Sequence, residues 1–254
     1  MITLGIDIGS RNTKAVLFDS QCGSILYSGF VSTDVYPLKS VDALIETAYE
    51  KTGVDIADKT ACTGYGRKLY HQDARIISEI SCHAAGILYL YPETRTVIDI
   101  GGQDSKVITL DNNGKVRDFV MNDKCAAGTG RFLEMTAIRL GCSLDELSSL
   151  AKQAVMEMDI SSTCVVFAES EIIGMISKNE QPANIARAVN RSIAKRITTQ
   201  IGTLDFSPPV VFTGGVAKNS DLAQCLSGYL DCLIRVPPDP VITAALGAAI
   251  LVAQ

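Results

Sequence analysis

Residues 6–14 read Ile6-Asp7-Ile8-Gly9-Ser10-Arg11-Asn12-Thr13-Lys14, and 92 residues later the chain reads Ile98-Asp99-Ile100-Gly101-Gly102-Gln103-Asp104-Ser105-Lys106. The aspartate, the first glycine, the hydroxyl residue and the lysine coincide in the two copies. Each copy has an apolar run (residues 3–8 and 96–100), a glycine turn, and a second apolar run (13–18 and 105–110). This pattern predicts two β-hairpins with glycine at their tips.

A glycine tip of this kind is suited to binding an anion. Glycine lets backbone N–H groups approach a phosphate, a hydroxyl adds a donor, and an aspartate can hold Mg²⁺ through water. One Asp-x-Gly hairpin alone is an ordinary turn, but two matched copies predict tips that face each other and grip the β- and γ-phosphates of ATP or ADP. We therefore expect Asp7 and Asp99 to act catalytically through Mg²⁺, with Gln103 positioning the attacking water. The predicted phosphate-binding residues are Gly9, Ser10, Arg11, Asn12, Thr13, Lys14, Gly101, Gly102, Gln103 and Asp104.

Two further glycine-containing elements lie near the C-terminus. Residues 209–219 form an apolar strand that ends in Gly214-Gly215 before a helix predicted at 220–229. Such a turn lets a nucleoside lie against bare backbone, and we expect Gly214, Gly215 and Asn219 there, although a tight strand-to-helix turn explains the same pattern. Residues 244–249 are small apart from Leu246, and they predict a helix that packs closely on its neighbour.

The ordered set of motifs, from residue 3 to residue 252, resembles the actin, Hsp70 and sugar-kinase superfold. The resemblance implies a duplicated, ribonuclease H-like α/β fold with two subdomains, each a mixed sheet with flanking helices, around a nucleotide cleft. Subdomain I is expected at residues 1–94, joined by the C-terminal helix 243–254. Subdomain II is expected at residues 95–242.

Two of the eight cysteines precede predicted helices. Cys125 stands before a helix expected at 127–140, and Cys164 before one expected at 167–178. Helix N-termini favour a thiolate, so these two residues are candidate ligands of an iron–sulfur cluster. A [4Fe–4S] cluster normally needs four ligands, and a symmetric dimer would supply the other two. A small buried thiol is the alternative for any cysteine, and it is the expectation for the rest: Cys22, Cys62, Cys82, Cys142, Cys225 and Cys232.

Longer segments resemble one family within the superfold. Residues 63–67, 79–83, 97–108, 121–132 and 161–171 are similar to the ATPases that activate 2-hydroxyacyl-CoA dehydratases and form part of benzoyl-CoA reductases. The resemblance implies an ATPase that is a homodimer with one [4Fe–4S] cluster, bound by Cys125 and Cys164 of each protomer. It also implies electron transfer from a ferredoxin or flavodoxin to a dehydratase-type partner enzyme as ATP is hydrolysed. The residues expected to flank the cluster without binding it are Lys124, Arg131, Glu169 and Glu171.

One departure from that family precedes the last helix. The family commonly has a glutamine and an Asn-Gly there, whereas residues 240–247 read Pro-Val-Ile-Thr-Ala-Ala-Leu-Gly. The sequence thus predicts the loss of a polar contact near the adenine, with consequences for nucleotide affinity or base preference but not for the phosphate clamp.

Composition and charge limit the classes of function that this protein can have. The chain has 254 residues, 47% of them hydrophobic, and a net charge of −5 without a basic block, which argues against nucleic-acid binding. It has no signal-like start and no apolar run of about 18 residues, so a cytoplasmic protein without a membrane segment is expected. Two other functions fit the clamp: a small-molecule kinase of the same superfold, and a nucleotide-regulated binding protein whose cysteines are only structural.

Overall fold

The computed structural model describes residues 1–70, 73–162 and 164–254. The chain divides into two compact units. Unit 1 comprises Met1–Thr94, Leu110–Val116 and Pro238–Gln254, and unit 2 comprises Arg95–Thr109 and Arg117–Pro237. Each unit is built on one five-stranded mixed sheet. The predicted duplication of an α/β architecture is confirmed.

The sheet of unit 1 has the strand order β3-β2-β1-β4-β5. The strands β1 and β2 form an antiparallel hairpin, and β4 runs parallel to β1. The elements are β1 (Ile2–Ile8), β2 (Asn12–Asp19), β3 (Ser24–Ser32), α1 (Pro37–Thr52), β4 (Lys59–Thr63), a 3-10 turn (Arg67–Leu69), β5 (Arg75–Ile76), α2 (Glu79–Leu90) and, at the end of the chain, α8 (Thr243–Ala253).

The two faces of this sheet are covered by different helices. Alternate residues of β1, such as Leu4 and Ile6, pack in one cluster with Leu44 of α1. On the opposite face, the Thr3 hydroxyl donates to the Ala249 carbonyl of α8 at 2.8 Å. Gly247 of α8 lies so close to α2 that an added Cβ would meet the Cys82 carbonyl oxygen. The small residues of α8 therefore allow the close packing that the sequence predicts.

The sheet of unit 2 repeats this plan with the order β10-β9-β6-β7-β8. Here β6 and β7 form the antiparallel hairpin, and β9 runs parallel to β6. Its elements are β6 (Thr96–Ile100), β7 (Ser105–Leu110), β8 (Val116–Asn122), a 3-10 turn (Ala126–Gly128), α3 (Gly130–Leu140), α4 (Leu144–Ala151), α5 (Val165–Ser177), α6 (Pro182–Ile201), β9 (Val210–Thr213), a 3-10 turn (Gly215–Lys218), α7 (Ser220–Leu230) and β10 (Ile234–Arg235).

One large cluster forms the core of unit 2. It joins Ile98 of β6 and Phe212 of β9 to Phe132 of α3, Ile172 of α5 and Ile193 of α6, all of them fully buried. The three helices are buried to different extents, since α5 buries only Ala168 and Ile172 whereas α6 is buried along most of its length.

Helix α3 begins later than the sequence predicts. A 3-10 turn occupies Ala126–Gly128 and Thr129 is extended (φ −136°, ψ 172°), so the α-helix starts at Gly130 rather than at 127. The Thr129 amide and hydroxyl both donate to the Ala126 carbonyl, which closes the short turn. Helix α5 begins at Val165, two residues earlier than predicted. In the described ranges, no helix is both long and apolar enough to span a membrane.

Candidate functional site

The two hairpins place an aspartate opposite a lysine in the same register. Asp7 pairs with Lys14 across β1 and β2, and the Lys14 Nζ lies 2.8 Å from the Asp7 carboxylate. Asp99 pairs with Lys106 across β6 and β7, with 3.4 Å between the charged groups. The Lys106 Nζ also lies 2.5 Å from Asp104, and its side chain is only 2% exposed. The repeat thus builds two ion pairs at the ends of two buried strands.

Both glycine tips are closed by one backbone bond and open to solvent. The Gly9 amide donates to the Asn12 carbonyl at 3.1 Å, and the Gly101 amide donates to the Asp104 carbonyl at 2.9 Å. A Cβ on Gly9 would lie 2.7 Å from the Asn12 carbonyl oxygen, and one on Gly101 would lie 2.6 Å from the Asp104 carboxylate, so neither tip has room for a side chain. Both tips stay accessible through a set of partly or fully exposed residues: Ser10, Arg11, Gly102 and Gln103.

The hydroxyl residues of the repeat lie inside the protein. Thr13 is fully buried, and its hydroxyl lies 3.0 Å from that of Thr33. The Thr33 hydroxyl donates to the Gly9 carbonyl at 2.9 Å, so Thr13 donates to Thr33. Ser105, the second copy, is also fully buried. Thr13 therefore supports the first tip from inside the protein, through Thr33 and the Gly9 carbonyl.

A second pair of turns lies beside the two aspartates, and Gly214 is the one residue of this pair that the sequence analysis assigns to the site. Thr63 ends β4 next to Asp7, and Thr213 ends β9 next to Asp99, in the same parallel register. A glycine with positive φ follows each threonine: Gly64 at +92° and Gly214 at +89°. A Cβ on Gly64 would lie 2.3 Å from the Asp7 carboxylate, and one on Gly214 would lie 2.7 Å from that of Asp99.

The predicted nucleoside residues occupy different environments. Gly215 is exposed, and a Cβ there would meet no atom within 4 Å, so its backbone faces open space. Asn219 is 6% exposed and points inward. Its side chain caps α7 by accepting from the Leu222 amide at 3.0 Å, and it donates to Asn190 of α6 at 3.0 Å. Asn219 thus shapes the turn, and the bare backbone at Gly215 is the accessible part.

The two candidate ligand cysteines are both exposed, and each precedes a helical element. Cys125 caps the 3-10 turn before α3, and Cys164 is the N-cap residue of α5. The Asn122 side chain holds Cys125 by donating to its carbonyl at 2.7 Å and accepting from its amide at 2.9 Å. Thr163, which precedes Cys164 in the predicted motif, lies outside the described residues. Exposed thiols at helix starts fit the donor set of half an iron–sulfur cluster.

The other cysteines follow the buried-thiol expectation with one exception. Burial raises the pKa of Cys62 and of Cys82 to about 12, and that of Cys225 to about 11. Cys142 and Cys232 are half-buried. The expectation is wrong for Cys22, which lies exposed in the short turn between β2 and β3.

Three of the four charged residues predicted near the cysteines make ion pairs or hydrogen bonds within unit 2. Arg131 pairs with Glu134 on α3, and Glu169 of α5 accepts from the Arg139 Nε at 2.6 Å. Glu171 accepts from the amides of residues 161 and 162 at 2.9 and 3.0 Å. Burial opposes ionisation of Glu171, but these bonds prevail and hold its pKa below the usual range. Lys124 is exposed.

The second tip and the helix after Cys125 are joined directly. The amides of Gly130 and Arg131, the first two of α3, donate to the carbonyls of Gly101 and Gly102 at 2.9 Å each. In the described part of the chain, no group of three or more His, Cys, Asp or Glu side chains could hold a metal ion.

Comparison with known proteins identifies the family. The sequence matches the BadF/BadG/BcrA/BcrD ATPase family over residues 4–252. The chain belongs to this ATPase family. It is 44% identical over 256 residues to the activator of lactoyl-CoA dehydratase from Anaerotignum propionicum, covering 98% of this chain and 96% of the relative. The resemblance drawn from the motifs is confirmed.

Solved structures confirm the predicted fold class. The activator of the 2-hydroxyisocaproyl-CoA dehydratase from Clostridium difficile, with bound ADPNP, superposes with a TM-score of 0.94 at 42% identity, covering 99% of this chain and 94% of that one. A ROK family glucokinase from Streptomyces griseus, in complex with glucose and AMPPNP, shares the fold at a TM-score of 0.62 and 15% identity, covering 100% of both chains.

Proposed function

We propose that this ATPase activates a 2-hydroxyacyl-CoA dehydratase-type enzyme by coupling ATP hydrolysis to the transfer of a low-potential electron. The observation that carries the proposal is the pair of Asp–Lys hairpins, whose exposed glycine tips are suited to binding phosphate and are present in duplicate. Relatives named as dehydratase activators cover nearly the whole chain, which supports the same role here.

Both tips bind the phosphates of Mg²⁺-ATP in this proposal. Backbone amides at Ser10, Arg11, Gly102 and Gln103 are placed on exposed tips, where they donate to phosphate oxygens. The carboxylates of Asp7 and Asp99 fit Mg²⁺ held through water, because each lies at the end of its strand beside the glycine tip, paired with a lysine. Exposed Gln103 orients the attacking water, and the open backbone at Gly215 faces the nucleoside.

Cys125 and Cys164 of two protomers bind one [4Fe–4S] cluster. When bound, the cluster would supply one-electron chemistry between a ferredoxin or flavodoxin and the partner enzyme. This chain's part is to present two exposed thiolates at helix starts, with Asn122 fixing the Cys125 backbone.

A homodimer agrees with the apolar surface that follows Cys164. Val166, Phe167 and Ile173 of α5 are 66%, 69% and 46% exposed. Large apolar side chains grouped at one helix mark a surface that is covered by protein in the functional state. A second copy would cover this helix and bring the second pair of thiolates.

The nucleotide part is tested by ATPase assays of Asp7→Ala and Asp99→Ala, with Asp205→Ala as a control at an exposed carboxylate. We expect the first two variants to lose turnover by orders of magnitude, since metal-held charge stabilisation is central to phosphoryl transfer. Wild-type turnover in both would refute the assignment of the two aspartates.

The cluster part is tested by Cys125→Ser and Cys164→Ser, with Cys22→Ser as the exposed-cysteine control. After anaerobic reconstitution, the first two should lose the absorption near roughly 400 nm while still binding ATP, and wild-type protein should contain about four irons per dimer. A cluster that survives both substitutions would show that other residues are the ligands.

A further inference from the structure

The segment at residues 155–162, which leads to Cys164, lies along helix α6. At its start, the Asn184 side-chain oxygen accepts from the amides of Val155 and Met156 at 3.0 and 3.2 Å. At its end, Arg196 donates to the Ser162 carbonyl at 3.1 Å. Asn184 and Arg196 are about 18 Å apart along the axis of α6, given the rise per residue of a helix. We call residues 155–162 the strap, because both of its ends are tied to this helix.

The end of the strap is also tied to α5. The Glu171 carboxylate accepts from the amides of Ser161 and Ser162, and from both of their hydroxyls at 2.8 to 3.2 Å. Ser162 is therefore held at its amide by Glu171 and at its carbonyl by Arg196. Hydrogen bonds to charged groups are stronger than neutral ones, so the backbone two residues before Cys164 is firmly placed.

Other residues of the same helix hold the start of α7, which directly follows the turn at Gly214 and Gly215. Asn190 is fully buried, accepts from the Asn219 side chain at 3.0 Å and donates to Asp221 at 2.7 Å. Arg187 forms an ion pair with the same fully buried Asp221. Buried polar bonds of this kind are costly to break, so α6 and the start of α7 form one rigid piece.

We infer that α6 fixes the position of Cys164 relative to the Gly214 and Gly215 turn. Arg196 and Glu171 are positioning residues on the cysteine side, and Asn190 is a positioning residue on the nucleotide side. The inference rests on the proposed function, because it assigns the turn to nucleotide and the thiol to the cluster. All of these contacts lie within unit 2, so a displacement of Asn219 on nucleotide binding reaches the strap through one helix.

Hydrogen–deuterium exchange of the full-length, cluster-free protein tests the strap directly. Arg196→Gln and Glu171→Gln should each raise the exchange rates of the strap amides by about tenfold or more, the factor expected for losing a hydrogen bond to a charged group. Arg196→Lys should restore part of the protection because it keeps a positively charged donor, whereas the glutamine amide is neutral. The peptide around Cys125, which Asn122 holds separately, should not change. Ser161→Ala offers a milder variant that keeps the Ser161 amide bond to Glu171.

The same measurement with and without saturating ADP tests the connection. In wild-type protein, ADP should change strap exchange at least twofold. Asn190→Leu should abolish that change when the ADP concentration is set to saturate the variant, according to its own dissociation constant. Lys195→Gln, on the exposed side of α6, should retain the change. Strap protection that is unaffected in both Arg196→Gln and Glu171→Gln, or a full ADP response in Asn190→Leu, would overturn the inference. Failure of wild-type protein to bind ADP would instead refute the proposed function, while the Arg196 and Glu171 variants would still test the strap.

Discussion

Adding one methyl group beside Asp7 should disable ATP hydrolysis without removing any charged group. Gly64 has a φ of +92°, and in Gly64→Ala the new Cβ would lie 2.3 Å from the Asp7 carboxylate and 2.6 Å from the Ile8 carbonyl oxygen. Ordinary contact begins at 3.4 Å, so the carboxylate must move by about 1 Å, a displacement that typically costs about 100-fold in turnover. We expect ATPase turnover to fall by roughly that factor.

Backbone strain adds a separate effect on stability. A residue other than glycine at this φ costs about 1–3 kcal/mol, which lowers the Tm of a chain of this size by roughly 2 to 12 °C. Gly23→Ala is the matched control, because Gly23 also has a positive φ (+64°) but no atom within 4 Å of an added Cβ. It should lose stability without losing turnover.

The assay is steady-state ATP hydrolysis at saturating Mg²⁺-ATP, below the Tm of each variant. If the ATPase turnover of Gly64→Ala is within about twofold of that of Gly23→Ala at equal folded fraction, the position of the Asp7 carboxylate does not govern the reaction. Gly214→Ala should behave like Gly64→Ala, because its Cβ would lie 2.7 Å from the Asp99 carboxylate.

Arg187→Leu leaves the fully buried Asp221 without its cation, so we expect a loss of about 3–5 kcal/mol in urea unfolding. Adding Asp221→Asn should recover part of that loss, and no recovery would contradict the pairing. The thiols of Cys62, Cys82 and Cys225 have pKa values raised to about 12, 12 and 11 by burial. A raised folded-state pKa stabilises the protein below the unfolded thiol pKa, and the stabilisation is lost as pH rises toward the folded value. The free energy of unfolding should therefore fall above about pH 9. At pH 8, iodoacetamide should leave these three thiols unmodified in the native protein. Modification as fast as in urea would show that the thiols are not buried.

The sequence was sufficient to predict the hairpins because their signal is local. Aspartate and lysine seven residues apart, with glycine between them, lie opposite each other in a tight hairpin. The same pattern recurs in a second copy, which distinguishes it from an isolated turn. The two aspartates were thus identified with their strands. The nucleotide, metal and cluster roles of the site residues stay predictions that the proposed experiments test.

What the sequence did not reveal depends on long-range packing. The correspondence between Thr63-Gly64 and Thr213-Gly214 was missed, although Gly214 itself was predicted. These two-residue signals are 150 residues apart where the hairpins are 92 apart, so no single offset aligns both features. Asn190 lies on a helix whose pattern gives no sign that it meets Asn219 and Asp221 from another element. Such contacts form only when α6 and α7 pack together, and the hydrophobic periodicity of a single helix does not predict them.

The difference between the two units shows where the second copy has specialised. In unit 1 the chain passes from β3 to β4 through α1 alone, whereas in unit 2 the described chain passes from β8 to β9 through α3, α4, α5 and α6. Both exposed helix-start cysteines lie in that longer connection, Cys125 before α3 and Cys164 before α5. Among the bonds that join this connection to the duplicated core, the first amides of α3 donate to the carbonyls of Gly101 and Gly102, and Asn190 of α6 binds Asn219. Each cysteine is therefore linked to its own part of the proposed nucleotide site, Cys125 to the phosphate tip and Cys164 to the nucleoside turn. An ATPase core that gained these helices would gain, in the same step, the thiols and the contacts that tie them to nucleotide.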